Sequence, residues 1–320
     1  MVAIAVLFAL LVAALIAVAR KPAAPSAVEA APPVIEDRPS VGEMHVEAAG
    51  PIEGVAPIAG PAPRAAPLPV VLVHGLFGFD RIGVPGARFD YFRGIAVHLN
   101  QLGCATHAVR LPMSASVPSR AKQLVAAIDA LPHERMDIIA HSLGGLDARF
   151  ALAQLGLADR VRSLVTIGTP HRGSPIADLF HEGSLDWARR LVTALGISIE
   201  AVEWLSSAGL AKFNADVTDV PGVRYGSVVG GIKDESRVPV LLAPGHAWLT
   251  KVAGPNDGVV PVASQSWGEV LAEIDADHFA QIGWRIGGAT FDAQGLYAFL
   301  VARLGDVPQT STPPPSTISA

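Results

Sequence analysis

Apolar and polar positions alternate in blocks along the middle of the chain. Short strand-like runs rich in apolar and β-branched residues, at 68–73, 106–111, 136–140 and 161–167, are separated by longer stretches in which apolar residues return every three to four positions. Such runs read as strands buried on both faces. The stretches 92–102, 119–131 and 146–155 read as helices, the second with Leu124, Ala127 and Ile128 on one face. Further strands are predicted at 222–229 and 270–274, and a closing helix at 291–304. Strand and helix in alternation predict an α/β fold, a mostly parallel central sheet with helices on both faces. Right-handed crossovers then put a ligand site at the carboxyl ends of the strands.

Outside residues 67–304 the pattern changes. Residues 1–19 are apolar without interruption, and Arg20 and Lys21 follow. As a helix this segment would span about 28 Å, close to the hydrocarbon thickness of a bilayer. Residues 1–21 are therefore expected to be a transmembrane anchor or an uncleaved signal, and through them a membrane is an expected partner. Ala17-Val18-Ala19 resembles a signal cleavage site, yet no basic stretch precedes the apolar core, as would be the case if the true start lay upstream. Arg20 and Lys21 favour a cytoplasmic C-terminal side, whereas cleavage implies export. Residues 22–66, rich in Pro and Ala without a helical or strand period, read as a disordered linker. Residues 305–320 read as a disordered tail.

Composition narrows the function classes. Half of the 320 residues are hydrophobic, ample for one large core, and a net charge of −5 offers no basic footprint for nucleic acid. The single cysteine, Cys104, lies in an apolar run, where a buried and inert thiol is expected; no intrachain disulfide can form. No HExxH or CxxC spacing points to a metal.

The apolar run ending at Ala140 leads into His141-Ser142-Leu143-Gly144-Gly145. A strand that turns sharply into a helix holds a side chain at the apex of the turn if its neighbours are small. This is the G-x-S-x-G elbow with Ala140 in the first glycine position and Ser142 as candidate nucleophile. A serine capping the following helix is the plain alternative. Directly after the first strand comes His74-Gly75-Leu76-Phe77-Gly78-Phe79-Asp80. An acyl-transfer site needs two backbone N–H donors for the oxyanion, one beside the nucleophile and one from an early strand-end loop, and Leu143 and Leu76 fit those places. A carboxylate and then a histidine should follow. Asp257, in Asn256-Asp257-Gly258, is the best carboxylate, although such a tripeptide also makes an ordinary turn. His278, just past the strand predicted at 270–274, is the best base; His171, His181 and His246 all precede Asp257. His141 is expected to point away from the site.

These four features stand in the required order. On them the chain resembles bacterial triacylglycerol lipases of the α/β-hydrolase superfamily: residues 70–80 are similar to that family's oxyanion segment and 140–146 to its serine box. Residues 166–178 match its post-elbow strand and loop, and 256–260 with Asp277-His278 its acid and base. The resemblance implies hydrolysis of carboxylic esters through a serine acyl-enzyme, with a lipid or other ester as substrate. Those lipases carry a structural calcium with an aspartate two residues after the catalytic histidine. That position here is Ala280, so no metal or other cofactor is expected.

Residues 178–213 are where such enzymes carry a helical lid. Trp187, Leu191 and Leu195 fall at helical spacing, with Leu205 and Leu210 further along. An ordinary core helix would show the same stripe. A thioesterase, an amidase, a lipid-anchor deacylase and a catalytically silent membrane-tethered binding module remain alternatives. Oligomeric state is not written in this pattern.

Overall fold

The computed structural model describes residues 68–76, 90–179, 193, 198–287 and 290–305. The proposed anchor and linker, the tail beyond Gly305, and Trp187, Leu191 and Leu195 of the expected lid lie outside these residues.

Six strands form one parallel sheet: β1 (Val70–Val73), β2 (Thr106–Ala108), β3 (Met136–His141), β4 (Val161–Ile167), β5 (Arg224–Gly231) and β6 (Glu269–Asp275). Their spatial order is β2-β1-β3-β4-β5-β6. The chain winds outward from β1 to β2, then crosses back to β3 and continues the other way. The reversal leaves a crevice between the carboxyl ends of β1 and β3, the place where α/β sheets bind ligands.

Every residue of β1, β3 and β4 is buried, which explains why apolar residues stand on both faces rather than in alternation; the buried charges among them, Arg162 and Asp137, pair with each other. Alternation still decides the face. Val70, Leu72 and Ile139 pack with Ile95 and Leu99 of α1 (Ile95–Gln101) and with Leu296, Tyr297 and Leu300 of α9 (Ala293–Gly305). Val71, Val73, Ile138 and Ala140 point the other way, onto Leu124 and Ile128 of α2 (Val117–Asp129) and Ala148 and Leu152 of α3 (Leu143–Gln154). Each fully buried Leu or Ile in these layers contributes about 1.5–3 kcal/mol.

Most predicted boundaries shift by one to three residues, and three shifts have visible local reasons. The helix expected from residue 146 begins at Leu143, directly after Ser142. The strand expected to reach residue 111 stops at Ala108, because the Leu111 N–H turns out of the sheet to donate to His74 Nε2 at 2.9 Å. The strand expected from residue 222 begins at Arg224, since Gly222 occupies a left-handed turn with φ +87°.

Short helices α4 (Pro175–Asp178), α5 (Ile199–Glu203) and α6 (Ser207–Asp216) follow β4. Asp178 accepts from the Ser207 amide at 2.7 Å and from its hydroxyl at 2.6 Å, tying α4 to the start of α6. Leu210 and Phe213 are buried against Leu143 and Leu146, so the end of the expected lid segment packs on the elbow helix. α7 (Ala243–Ala253) and α8 (Val262–Gln265) flank the loop that carries Asp257. Among the described residues no helix is long and apolar enough to cross a membrane.

Candidate active site

Ser142 stands where β3 turns into α3, with φ 56° and ψ −131°. It is the one non-glycine among the described residues with positive φ, a conformation that L-residues resist and that a rigid surround must hold. The surround is visible. The Ser142 amide donates to the Ile167 carbonyl at 2.9 Å, and the Ser142 carbonyl accepts from the Gly145 amide at 3.1 Å and the Thr169 hydroxyl at 2.8 Å. Close approach explains the second glycine of the motif: a Cβ on Gly144 would lie 2.6 Å from the Val73 carbonyl oxygen. The Ser142 side chain makes no capping bond to α3. Its Oγ lies instead 3.1 Å from His278 Nε2.

His278 follows β6 after a two-residue step. Asp277 shapes that step by accepting from the Phe279 and Ala280 amides at 2.9 and 3.0 Å. Burial pushes the Asp277 carboxyl up to about 6, against the pull of those amides. The imidazole Nδ1 is 2.8 Å from Asp257 Oδ2, and the His278 amide donates to the Asp257 carbonyl at 3.0 Å. An ionised carboxylate only accepts, so Nδ1 carries the proton and Nε2 presents its lone pair to the serine hydroxyl.

Asp257 is fully buried and richly satisfied. Its Oδ1 accepts from the Val259 and Val260 amides at 3.0 and 2.7 Å. Oδ2 accepts from Gln281 Nε2 at 3.0 Å and at longer range, 3.4 Å, from Gln265 Nε2, besides the imidazole. Gln265 in turn accepts from the Gly230 amide at 2.7 Å and donates to the Gly230 carbonyl at 2.8 Å, fastening the acid loop to the end of β5. The Asn256-Asp257-Gly258 turn thus serves both readings at once: it is a turn, and it delivers the carboxylate.

On the opposite side of the serine, Gly75 comes so close that a Cβ there would sit 2.7 Å from Ser142 Cβ. Leu76 follows it, half-buried, and Leu143 opens α3. The loop is gripped from below by Arg120 of α2, whose guanidinium donates to the His74 carbonyl at 2.6 Å and the Gly75 carbonyl at 3.3 Å. Arg120 also donates to the Pro112 carbonyl and pairs with Asp147 of α3 at 2.8 Å, both side chains fully buried. Burial pushes the Asp147 carboxyl up to about 6, with Arg120 opposing. His74, between this cation and the sheet, is driven down to about 4 by burial and by Arg120.

The structure therefore brings Ser142, Asp257 and His278 into one hydrogen-bonded line and sets Leu76 and Leu143 beside the serine. The rival histidines are elsewhere: His171 is buried against Trp267 and bonded to Thr166 Oγ1 at 3.0 Å, and His246 lies in α7. His181 lies outside the described residues. His141, expected to face away, turns its ring towards His278, with centroids 4.5 Å apart. Sequence reasoning missed Arg120, Asp147, Tyr91, Gln265 and Gln281. For Arg120 a signal existed, since it shares a helical stripe with Leu124 and Ile128, where a charge needs a buried partner. Among the described residues no group of three or more His, Cys, Asp or Glu side chains is placed to hold a metal ion.

Known proteins share this build. Residues 69–198 match the family model described as alpha/beta hydrolase fold. A triacylglycerol lipase of Vibrio cholerae is 28% identical over 261 residues, covering 68% of this chain and 80% of that protein. Triacylglycerol lipase 2 of Saccharomyces cerevisiae is 28% identical over 272 residues, with the same coverage of 68% and 80%. Among solved structures, the metagenomic carboxyl esterase MGS0156 superposes with a TM-score of 0.64 at 22% identity, over 85% of this chain and 86% of that one. The mature Bacillus licheniformis lipase BlEst2 gives 0.57 at 23% identity, over 77% and 92%. At such identities the structural likeness is one of fold. Sheet order, the strained turn at Ser142 and the matched segment agree on one conclusion: this chain has the α/β-hydrolase fold.

Proposed function

We infer that the chain is a serine hydrolase that cleaves carboxylic esters of lipids through an acyl-enzyme. One observation carries this reading: a serine in a strained elbow is hydrogen-bonded to an imidazole whose other nitrogen is held by a buried carboxylate. The triacylglycerol lipases among its relatives supply the lipid class.

In this reading His278 Nε2 takes the Ser142 proton as Oγ attacks the ester carbonyl, and Asp257 stabilises the imidazolium without itself accepting the proton. The Leu76 and Leu143 amides receive the tetrahedral oxyanion. Collapse breaks the ester C–O bond, and His278 hands the proton to the departing alcohol. Water, deprotonated by the same imidazole, then releases the acid and restores the serine. Ser142→Ala should bind ester while turnover drops by roughly 10⁴- to 10⁶-fold, as removal of a triad nucleophile does. A series of nitrophenyl esters of increasing chain length measures this; hydrolysis retained in the variant sinks the assignment.

Two features outside the described residues belong to the same proposal. The apolar segment 1–21 supports a membrane anchor, or a signal removed on export, with residues 22–66 as a tether to the catalytic domain at 67–304. Alkaline extraction of membranes from expressing cells separates the two, since an anchor stays in the pellet. The Trp187, Leu191 and Leu195 stripe supports a lid. A lid predicts a rate jump when a soluble ester passes its saturation limit, and a smooth curve through that limit rules it out.

A further inference from the structure

Behind the triad lies a second line of polar groups that ester hydrolysis, as described above, does not use. It starts at the Gly75 amide, which donates to Tyr91 Oη at 3.2 Å. Tyr91 Oη is 2.8 Å from His141 Nδ1. On the far side of His141, two buried polar atoms have no close hydrogen-bond partner, His141 Nε2 and Gln281 Oε1. Gln281 and the His278 backbone are nevertheless near enough to favour protonation of the His141 ring, against the burial and the charge of the His278 ring that disfavour it. The Gln281 Nε2 donates to Asp257 Oδ2 at 3.0 Å.

Hydrogen-bond bookkeeping gives this line a direction. Burial raises the Tyr91 phenol well above its usual range, so it keeps its proton. Its oxygen already accepts from Gly75, so its O–H is free to donate to His141 Nδ1. A neutral His141 then carries its own proton on Nε2. Asp257 accepts only, so the Gln281 amide must turn its NH₂ to the acid and its carbonyl oxygen away. The two orphaned atoms are thus complementary, one donor and one acceptor. Close packing holds the Gln281 amide in this place, and the acceptor-only carboxylate sets which way round it lies. A Cβ on Gly168 would lie 2.3 Å from its Oε1, and a Cβ on Gly230 would lie 2.3 Å from its Nε2, so the amide is wedged between the ends of β4 and β5.

We propose that His141 and Gln281 are positioning residues that couple the triad carboxylate to the oxyanion-side loop, through a one-way chain of hydrogen bonds from Gly75 by Tyr91, His141 and Gln281 to Asp257. The inference rests on the serine-hydrolase reading. No charge moves along the chain. It fixes Oδ2 of the acid at one end and the Gly75 peptide, and with it the approach to Leu76, at the other. Both halves of the catalytic apparatus then share one rigid frame, and a disturbance at either end is felt at the other.

A double-mutant cycle tests the coupling. Tyr91→Phe and Gln281→Met, which touch opposite ends and not each other, should each lower kcat on a soluble short-chain ester by about 10-fold, the worth of one buried hydrogen bond, with KM within roughly 2-fold. The double variant should be little worse than the poorer single one, because each cut alone breaks the chain. Losses that multiply, or that fall on KM alone, overturn the proposal. A second measurement needs no variant and so does not depend on either one folding. ¹⁵N shifts of the wild-type His141 ring should show a neutral imidazole protonated on Nε2; protonation on Nδ1 reverses the chain and refutes it. Fluorophosphonate labelling of the wild type separates the two claims. A wild type that labels but gives an additive cycle loses only the relay, whereas one that does not label loses the hydrolase reading and the relay together.

Discussion

On one side of Ser142 the acid Asp257 is held by neutral donors, two backbone amides and two glutamine side chains, besides the imidazole that it orients. On the other side the His74 and Gly75 carbonyls are held by a full positive charge, Arg120, balanced by Asp147 inside the core. Several neutral dipoles share their task, so the loss of one leaves the others. A buried ion pair has no such reserve, because removing either partner leaves a charge that the interior cannot solvate.

The largest expected effect is on the neutral side and is chemical. Asp257→Asn keeps the size of the side chain but lets an amide face Nδ1, which favours the wrong imidazole tautomer. We expect kcat to fall by about 10⁴-fold with a near-normal unfolding midpoint. A loss under about tenfold would show that the carboxylate does not direct the base. On the charged side the effect should be structural. Arg120→Leu strands Asp147 and should cost about 3–5 kcal/mol in denaturant unfolding, while adding Asp147→Leu should restore most of that. If the double variant were as unstable as the single one, Arg120 would act through its carbonyl contacts rather than through the ion pair.

Acidification sharpens the contrast with a smaller effect. His74 is held down to about 4, and His141 and His171 well below their usual value, all chiefly by burial. Between pH 6.5 and 4 the unfolded chain takes up protons at these three imidazoles that the fold refuses, so stability is lost as pH drops. Asp147 and Asp277, raised to about 6, do the reverse: between about pH 6 and their unfolded value the fold binds protons first, which returns part of the loss. His107 and His246 are lowered by burial as well, so the imidazoles outnumber the two carboxylates and stability should decline as the pH falls below 6. Urea midpoints between pH 4 and 7 measure this slope, and a midpoint that rises on acidification contradicts it.

The sequence was most legible where one physical rule dominates. Strand β4 was readable to the residue, because β-branched and apolar residues fall on both of its faces and mark its two ends, Val161 and Ile167. Ser142, Asp257 and His278 could be found through order along the chain together with their loop contexts. Tyr91 and Gln281 carried no comparable mark. A tyrosine before a helix and a glutamine three residues past a histidine are common, and what distinguishes them is a set of partners 50 residues and 24 residues away. Arg120 and Asp147 are intermediate. Arg120 falls on the apolar stripe of its helix and Asp147 among small and apolar residues, which announces burial, yet their mutual pairing across 27 residues appears only once α2 and α3 are packed together.

The loop that presents Asp257 has no covalent crosslink, since the chain's only thiol, Cys104, is buried and unpaired. Its shape comes instead from Asn256, which donates to the carbonyls of His246 and Gly254 and to the Thr250 hydroxyl while its own oxygen accepts from the Gly258 amide. Such a brace is assembled by folding alone and needs no oxidant. The protein can therefore reach its working shape on either side of a membrane, in a reducing or an oxidising compartment, without help from a disulfide-forming system.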